Sequence, residues 1–489
     1  MPNRWRSDYP VAHYALLVTV LGILAFLMRK GIPDDAFIYL RMAENVTAGG
    51  GWGFNAGETI SAATSPAFLV VLILFRLLGL TGEAGLLAAF TAGLIIAALV
   101  TYSAFRSLDK RLGLIIALVL TASPFVLRSI GLETSFLLCS IVLTAKAYQD
   151  RNLAWTGVFA GLTALARPEG AAMVVFLGAL EIFRTKRVPW RIGVFFIMIV
   201  LPWLAFALAE FGTIVPHTVQ IKDVQSATAW ELYGTLWVVE LVRRVPAYPV
   251  VLVLAPFGLV QVWRESKVGR PFGLVVCGFG LIQMAGYSLM NAPTGYWWYY
   301  VPANAALVSL AVFGLPIALQ SLEKFVLCNF HISKNRLLPK IRVVSILMIV
   351  TLVLAFFHPY LRHLGQSYRF SEQYRQAGAW LADNGRPSDA VALTEIGYIG
   401  YFSGLRVVDM LGLLHAEALE PLSAGKHDWW FAVRERPRFV VIHSPAWKGE
   451  PIINDHSPYK WPDLSVRQFA REYELVFEAR DLLVYEQID

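Results

Sequence analysis

Two adjacent carboxylates, Asp34 and Asp35, stand just after the first long apolar segment of the chain. Charged side chains are costly in hydrocarbon, so a pair beside a membrane boundary is expected to face water, a cation or a polar ligand group. A carboxylate in that position can act as the general base for a hydroxyl proton. Paired carboxylates are also hard oxygen ligands, so a divalent cation, if one is bound, is expected at Asp34 and Asp35. We take this pair as the centre of a candidate active site.

The other candidate residues lie near the ends of predicted helices, where polar groups can meet a charged amphiphile at one membrane face. They are Arg41, Glu133, Arg167, Glu169, His217 and Lys222, together with Tyr296, Trp297 and Tyr299 of an aromatic run. Glu133 is the second candidate catalytic carboxylate. Arg41, Arg167 and Lys222 could neutralise an anionic leaving group.

Each of these features also has a simpler structural explanation, which the sequence leaves open. The aspartates could cap the helix predicted to follow them, because carboxylates are favoured at helix N-termini. Glu133, Arg167 and Glu169 could form ion pairs between helix ends. His217 could be an ordinary loop residue, Lys222 a solvated one, and the aromatic run an interfacial belt.

Composition indicates the class of protein. The chain has 489 residues, of which 56% are hydrophobic and 16% charged, and its mean hydropathy is +0.54. Such a chain is too apolar for an ordinary soluble enzyme, so we predict a membrane protein with several spans. The net charge is +7, but Lys and Arg fall in short blocks between apolar runs, as in cytoplasmic loops. We therefore predict the lipid bilayer, and no nucleic acid, as a partner.

The apolar segments predict about eleven transmembrane helices together with interfacial helices. The spans after the first are predicted at residues 84–104, 112–127, 135–149, 153–166, 171–183, 192–211, 246–263, 271–289, 302–320 and 343–358. Residues 11–28 form the first span, with its basic N-terminus inside, which places the outer loop 30–64 outside. Residues 68–78 are too few to cross and are predicted as an interfacial or re-entrant helix. An odd number of spans puts the C-terminal region on the same side as the Asp pair. The protein is thus expected in the cell inner (plasma) membrane, with its site on the extracytoplasmic face.

The composition changes after residue 365. Residues 1–365 are predicted to form the transmembrane catalytic domain and residues 366–489 a soluble extracytoplasmic α/β domain. Its expected elements are an amphipathic helix at 373–384 and β runs at 390–393, 406–410, 438–443 and 475–486. No glycine-rich phosphate loop follows a strand, so soluble nucleotide donors are not indicated.

Five motifs occur in one order along the chain and resemble those of the integral-membrane GT-C glycosyltransferases. They are Asp34–Arg41, Gly51–Glu58, Ser61–Pro66, Gly131–Thr134 and Arg167–Gly170. Within that class the likeness is greatest to the arabinofuranosyltransferases that complete cell-wall arabinan. It is clearest in the first third of the chain and recurs at residues 216–222 and 396–413.

The resemblance implies a GT-C fold, a polyprenyl-phosphate sugar donor and an Asp of the first outer loop at the reaction centre. The sugar is expected to be arabinofuranose, and the acceptor a hydroxyl of a glycan, a lipid or a protein. Arg41, Arg167, Glu169, His217 and Lys222 would then contact the donor phosphate or sugar. Tyr296, Trp297 and Tyr299 would stack on sugar faces or flank the prenyl chain.

Two other classes of protein remain open at this stage. One is a transporter or flippase of a lipid-linked sugar, although no paired inverted repeat with matching broken helices is evident in the sequence. The other is a membrane scaffold that binds lipid or glycan without turnover.

Overall fold

The computed structural model describes residues 10–105, 110–227, 237–290, 295–330, 357–358, 365–433, 436–443 and 463–488. Within these ranges the α-helices are Pro10–Met28, Asp34–Thr47, Pro66–Leu77, Gly82–Phe105, Lys110–Thr121, Pro124–Leu127, Thr134–Gln149, Leu153–Ala166, Ala171–Thr185, Trp190–Phe211, His217–Ala227, Trp237–Arg244, Tyr248–Lys267, Phe272–Leu289, Val301–Phe330, Ser371–Asn384, Ile396–Ser403, Leu419–Ser423, Trp429–Val433 and Asp463–Glu472. Short 3-10 turns occupy Arg29–Gly31, Pro168–Gly170, Trp297–Tyr300 and Ala416–Ala418.

Six helical stretches of the described ranges are long and apolar enough to cross a membrane. They are Val11–Gly31, Gly82–Phe105, Lys110–Leu127, Trp190–Phe211, Phe272–Leu289 and Trp297–Phe325. The prediction of an α-helical, multi-pass membrane protein is thus confirmed. Several other predicted spans are shorter helices, such as Leu153–Ala166, and the span predicted at 343–358 lies almost entirely outside the described residues. The count of eleven stays a prediction.

The segment predicted to be interfacial forms the helix Pro66–Leu77, which has only 12 residues. Ser65 precedes it, and its hydroxyl accepts a hydrogen bond from the Phe68 nitrogen at 3.3 Å, which caps the first turn. At the other end Arg76 pairs with Glu44 at 2.8 Å. These two contacts define both ends of the helix, while its interfacial placement stays a prediction.

The chain divides into two compact units that interleave along the sequence. The first comprises Met1–Arg29, Phe90–Val200 and Thr235–Gln366. Its helices Tyr248–Lys267 and Val301–Phe330 approach closely at two glycines. A Cβ at Gly258 would lie 1.9 Å from the Leu310 oxygen, and one at Gly314 would lie 2.1 Å from the Leu254 oxygen. Small residues permit such backbone contact between membrane helices.

The second unit comprises Lys30–Ala89, Leu201–Gly234 and Ser367–Asp489. It contains a five-stranded sheet whose strands are β1 (Ala390–Leu393), β2 (Arg406–Asp409), β3 (Phe439–His443), β4 (Tyr473–Ala479) and β5 (Leu482–Gln487). The order is β2-β1-β3-β5-β4, with β1 parallel to β2 and β3, and β5 antiparallel to β3 and β4. The small C-terminal α/β domain predicted from the sequence is thus present, whereas its predicted boundary at residue 366 and its extracytoplasmic side remain predictions.

The predicted β run at 475–486 is two strands joined by a tight turn. Arg480 adopts a positive φ of 55° there, and the register shifts between Leu475 and Phe477. The sheet packs over an apolar core that contains Trp429, Trp430 and Ile442. Ile221 of the helix His217–Ala227 is fully buried in the same core, which anchors that helix within the second unit.

Candidate functional site

Asp34 is the first residue of the helix Asp34–Thr47 and is only 8% exposed. Its Oδ2 accepts a hydrogen bond from the Gly397 nitrogen at 2.9 Å, and its Oδ1 accepts one from the Tyr398 nitrogen at 2.7 Å. These N–H groups belong to the first turn of the helix Ile396–Ser403, where backbone donors lack partners within their own helix. Asp34 therefore caps a helix from another part of the chain, rather than its own.

The electrostatics of Asp34 differ from those of an exposed carboxylate. Burial raises the pKa of Asp34 to about 7, and the nearby charges of Asp35 and Glu395 act in the same direction, against the two backbone hydrogen bonds. Asp35 is the next residue of the helix and is half-buried. The two aspartates therefore differ in environment. The Asp34 carboxylate accepts hydrogen bonds from backbone nitrogens, whereas the Asp35 carboxylate is more exposed.

Residues far away in sequence surround this pair. The Tyr398 hydroxyl donates to the Ile32 oxygen at 2.9 Å, and the Tyr398 ring lies 3.9 Å from the ring of Phe37. Glu395 pairs with His443 at 3.0 Å. Burial opposes ionisation of Glu395, but His443 outweighs it, so that the pKa of Glu395 is lowered overall. Sequence analysis singled out neither Glu395 nor Tyr398, although Tyr398 lies within the resembling segment 396–413.

The observed contacts of Arg41 differ from the predicted contact with the sugar donor. Its Nε donates to the Phe54 oxygen at 2.9 Å, its Nη2 to the Leu405 oxygen at 2.5 Å, and its Nη1 to the Gly400 oxygen. The guanidinium also covers the Phe54 ring at 4.5 Å. Because each of its three nitrogens donates to a backbone carbonyl, Arg41 is part of the scaffold of the second unit, and its contact with a donor stays a prediction.

Arg41 makes one of several sets of contacts that join the motifs resembling those of GT-C glycosyltransferases within the second unit. Asn55 of the motif Gly51–Glu58 donates to the Val407 oxygen at 2.8 Å and accepts from the Val407 nitrogen at 2.9 Å. Arg406 pairs with Glu58 of the same motif at 2.7 Å. The loop 30–64 and the segment 396–413 are therefore parts of one structure.

In the first unit, Arg167 lies at the centre of a buried ionic cluster. Its Nη1 donates to Glu133 at 2.8 Å, its Nε to Glu169 at 2.5 Å, and its Nη2 to the Tyr287 hydroxyl at 3.1 Å. Its Cζ lies 4.6 Å from the Tyr299 ring centroid. Burial disfavours the charged guanidinium, but Glu169 and Glu133 outweigh it and raise the pKa of Arg167. Glu133, Arg167 and Glu169 thus form the ion pairs that the sequence left open as a structural explanation. Sequence analysis did not predict the contact of Arg167 with Tyr287.

The members of the aromatic run make different contacts within the first unit. Tyr296 stacks on Trp298 with ring centroids 4.6 Å apart. Trp297 faces Arg128 and Arg244, whereas Tyr299 faces Arg167. Three members of the run, Trp297, Tyr299 and Tyr300, thus lie against guanidinium groups, a contact that a purely interfacial belt does not require.

His217 and Lys222 share the helix His217–Ala227 of the second unit. The buried His217 ring places Nε2 2.8 Å from the Gly412 oxygen and 3.0 Å from the His415 oxygen. Both partners are acceptors, so Nε2 carries the proton. His217 thus ties its helix to the loop after β2, and Lys222 is half-buried one turn further along.

A cavity of about 630 Å³ opens beside His217, within the second unit. It is lined by Glu58, Thr59, Ile60, Ser61, Phe211, Thr213, His217, Gln220, Leu414, His415, Ala416, Glu417 and Leu419. No lysine or arginine is among these lining residues. The cavity therefore offers hydroxyl, amide, imidazole and carboxylate groups together with one aromatic ring.

The described part of the chain contains no group of three or more His, Cys, Asp or Glu side chains arranged to hold a metal ion. Asp34 also directs both carboxylate oxygens to backbone donors. Among the residues that the structure describes, the surroundings of the Asp pair thus contain no complete ligand set, and a divalent cation at Asp34 and Asp35 stays a prediction.

The arrangement of helices is that of a GT-C-type membrane protein. The chain is similar in structure to ArnT from Cupriavidus metallidurans bound to undecaprenyl phosphate, with a TM-score of 0.62, 13% identity and coverage of 98% of both chains. It is also similar to the arabinofuranosyltransferase AftD from Mycobacteria, with a TM-score of 0.51, 15% identity and coverage of 99% of this chain and 40% of that one. These likenesses confirm the predicted fold class.

Sequence comparison finds the expected relatives. The chain is 28% identical over 309 residues to a terminal β-(1→2)-arabinofuranosyltransferase of Corynebacterium glutamicum, covering 52% of this chain and 43% of the relative. It is 27% identical over 284 residues to the protein of the same name from Mycobacterium tuberculosis, covering 52% and 44%. The chain thus spans less than half the length of these relatives. Residues 365–486 match a family described as a domain of unknown function, DUF8728.

Proposed function

We propose that this protein is a membrane glycosyltransferase that moves a sugar from a polyprenyl-phosphate donor to a hydroxyl of a cell-envelope glycan. The observation that carries the proposal is the half-buried carboxylate of Asp35, held beside the anchored Asp34 directly after the first membrane span. Relatives named arabinofuranosyltransferases support arabinofuranose as the sugar. The likeness to ArnT bound to undecaprenyl phosphate supports a polyprenyl-phosphate partner.

In the proposed reaction Asp35 is the general base. Its carboxylate accepts the proton of the acceptor hydroxyl as that oxygen bonds to the anomeric carbon of the sugar. The bond from the anomeric carbon to the phosphate oxygen breaks, and its electron pair leaves with polyprenyl phosphate. Asp34 is a positioning residue, because its contacts with Gly397 and Tyr398 fix the start of the helix that carries Asp35. Lys222 is proposed to attract the leaving anion.

The cavity beside His217 is the proposed acceptor subsite. A sugar presents neutral hydroxyl groups and apolar C–H faces, which match the hydroxyl, amide and carboxylate groups and the Phe211 ring of the lining. The lining has no guanidinium or ammonium group that would favour a phosphate. Its volume lies in the range of about 300–1,000 Å³ that is usual for small-molecule sites. We therefore place the glycan in this cavity and the donor phosphate elsewhere.

Two further assignments belong to the proposal. The first is the location, an inner (plasma) membrane with Asp35 and the C-terminal domain on the extracytoplasmic side, which the blocks of basic residues support.

The second concerns the predicted donor contacts in the first unit. The stack of Tyr296 on Trp298 offers a flat surface for a sugar or prenyl group. The cluster of Glu133, Arg167 and Glu169 serves as rigid support, because its charges already pair with each other.

The proposal is tested with the full-length protein in nanodiscs, supplied with arabinofuranosyl, mannosyl or glucosyl polyprenyl phosphate and a neutral arabinan oligosaccharide. We expect product from at least one donor and a loss of about 100-fold or more in kcat for Asp35→Asn. The control, Asp223→Asn, removes an equal charge from an exposed position in the helix His217–Ala227 and should retain the rate. Full activity of Asp35→Asn would overturn the base assignment. In sealed proteoliposomes, donor movement across the bilayer without product would favour a flippase instead.

A further inference from the structure

The imidazole of His217 is held at one of its two ring nitrogens. Nε2 lies 2.8 Å from the Gly412 oxygen and 3.0 Å from the His415 oxygen. Both oxygens are acceptors, so Nε2 carries the ring proton. In a neutral imidazole one nitrogen donates and the other accepts, which leaves Nδ1 as a hydrogen-bond acceptor. No described residue donates a hydrogen bond to this Nδ1 atom, although the side chain is only 6% exposed.

The two carbonyl groups that hold the imidazole belong to a tightly packed loop after β2. The buried Asp409 carboxylate accepts hydrogen bonds from the Leu411 nitrogen at 2.8 Å and from the Leu414 nitrogen at 3.2 Å. Gly412 adopts a φ of 81°, and a Cβ there would lie 2.6 Å from the Ala418 Cβ. The loop therefore has little freedom to move, so the direction of the Nδ1 lone pair is fixed as well.

His217 lines the cavity of about 630 Å³ together with other polar side chains. Ser61 is 6% exposed, and no described residue forms a hydrogen bond with its hydroxyl. Gln220 follows His217 by three residues, which places both on the same face of the helix His217–Ala227. A buried polar group without a partner is costly, so Nδ1 of His217 and the Ser61 hydroxyl favour a polar ligand in the cavity.

Glu58 adds the oxygens of an ionised carboxylate to the same lining. Its Oε1 accepts from the Arg406 Nε at 2.7 Å, and its Oε2 accepts from the Asn55 Nδ2 at 2.9 Å. Burial acts to raise the pKa of Glu58, but Asn55 and Arg406 outweigh it, so the pKa is lowered. Each carboxylate oxygen has two lone pairs, so Glu58 can accept further hydrogen bonds from a ligand. The lining thus offers acceptors to hydroxyl donors and repels an anion.

We propose that His217 determines the specificity of this cavity, its Nδ1 accepting a hydrogen bond from a hydroxyl of the acceptor glycan. Ser61 and Glu58 bind further hydroxyls of the same ligand. The identity of that ligand as an acceptor rests on the proposed function, whereas the hydroxyl-binding site rests on the lining itself. A cavity built for a hydroxyl rejects a ligand that lacks it, because the imidazole is then left without a partner. His217 takes up no proton in this role, and Asp35 remains the proposed base.

Binding is measured by isothermal titration calorimetry with the full-length protein in nanodiscs, without any donor. The probes are a neutral arabinan oligosaccharide, analogues that each lack one hydroxyl of the terminal sugar, and inorganic phosphate. We expect at least one analogue to bind the wild type about 10-fold more weakly than the parent oligosaccharide. His217→Gln keeps an amide N–H for the Gly412 and His415 carbonyls but lacks the Nδ1 acceptor. It should bind the parent about 10-fold more weakly and lose the discrimination against that analogue.

Two serine variants complete the comparison. Ser61→Ala should weaken binding of the parent oligosaccharide by about 3-fold or more, because one hydrogen bond to the ligand is lost. Ser423→Ala is the matched control, since it removes the same hydroxyl from an exposed side chain that is not part of the cavity lining. It should change the affinity by less than about 2-fold.

The outcomes separate this site from the proposed reaction. A wild type that binds every analogue as tightly as the parent, or a His217→Gln protein that behaves as the wild type does, would overturn the role of His217. Equal weakening of every ligand by His217→Gln, with the discrimination retained, would make His217 a structural residue and overturn the proposal too. Tighter binding of inorganic phosphate than of the parent, or no binding of any oligosaccharide, would overturn the assignment to a glycan. Discrimination that depends on His217, in a protein whose wild type transfers no sugar, would uphold the site while the proposed function fails.

Discussion

The Oδ1 atom of Asp34 accepts a hydrogen bond of 2.7 Å from the backbone nitrogen of Tyr398, 364 residues further along the chain. Oδ2 accepts a second one from Gly397. A carboxylate at a helix N-terminus satisfies N–H groups that have no intrahelical partner. Asp34 thereby caps the helix Ile396–Ser403 and ties the first residue of its own helix to it, which determines where Asp35 is held.

Asp34→Ala should destabilise the protein by about 2–3 kcal/mol, because two buried N–H groups lose a charged acceptor. The matched control is Asp35→Ala, one residue later, where the carboxylate is more exposed and the loss should be below about 1 kcal/mol. Thermal unfolding in detergent at pH 8 measures both. Equal losses would show that Asp34 does not anchor the second unit.

Gly397→Ala should weaken the same contact from the other side. A Cβ at this position would lie 2.0 Å from the Asp34 carbonyl oxygen and 2.7 Å from its Oδ2. We expect a loss of about 1–3 kcal/mol in stability, as for overpacked sites, together with reduced transfer. Gly286→Ala is the control, since no atom lies within 4 Å of its added Cβ. A Gly397→Ala protein as stable and active as Gly286→Ala would contradict the observed packing.

Arg41→Met should be more damaging than Arg406→Met, although both remove one guanidinium from the second unit. The first change leaves the carbonyl groups of Phe54, Gly400 and Leu405 without their donor, at a cost of about 3 kcal/mol or more. The second breaks a partly exposed pair with Glu58, worth about 0–1 kcal/mol. Melting temperatures in detergent rank the two, and the reverse order would contradict a structural role for the three Arg41 hydrogen bonds.

The cluster around Arg167 permits a double-mutant test. Arg167→Met leaves Glu133 and Glu169 buried without their cation, which should cost about 3–5 kcal/mol. Adding Glu133→Gln removes one of the stranded charges, so the double variant should be more stable than Arg167→Met alone. Additive losses in thermal unfolding would mean that the two residues are not coupled.

The fully buried Asp409 should make stability depend on pH. Burial raises the pKa of Asp409 to about 7, above the ordinary value of 3.8, despite backbone hydrogen bonds from Leu411 and Leu414. The folded state therefore holds a proton that the unfolded chain has released. The stability of the wild type relative to Asp409→Asn should fall as the pH rises from 4 to 7, by up to about 4 kcal/mol, and stay level above 7.

Asp389 should show the opposite dependence of stability on pH. Burial acts to raise the pKa of Asp389, but the hydrogen bond from the Arg386 nitrogen at 2.8 Å and the pairing with Arg438 at 2.6 Å outweigh it, so the pKa is lowered. The wild type should thus lose stability relative to Asp389→Asn as the pH falls through the range where this carboxylate takes up its proton. Parallel pH profiles for the Asp389 and Asp409 variants would contradict these environments.

Elements whose pattern is local were predictable from the sequence. The β run at 390–393 coincides with β1, and the amphipathic helix predicted at 373–384 is Ser371–Asn384. The hairpin of β4 and β5 was predicted as one run, because its turn uses Arg480 and not the glycine or asparagine that marks most tight turns. Periodicity therefore located the elements, whereas the turn between them left no local signal.

The partners of the candidate residues were not predictable in the same way. Asp34 and Arg41 were singled out for their type and position, but Gly397, Tyr398 and Leu405, which they contact, lie more than 300 residues away. The pairing of Glu133 with Arg167 was one of two open alternatives, and only the packing of helices decides between them. The grouping of Arg128 with Arg244 likewise depends on tertiary structure, which one sequence without an alignment does not reveal.

The interleaving of the second unit bears on how the protein is made. Asp34 and Asp35 are translated early. The backbone nitrogens that donate to Asp34 are translated only after most of the polypeptide. Many membrane helices must therefore be synthesised before Asp34 can form its hydrogen bonds with the helix Ile396–Ser403. A product that terminates before residue 397 would carry every candidate carboxylate and still be unable to complete the fold around them.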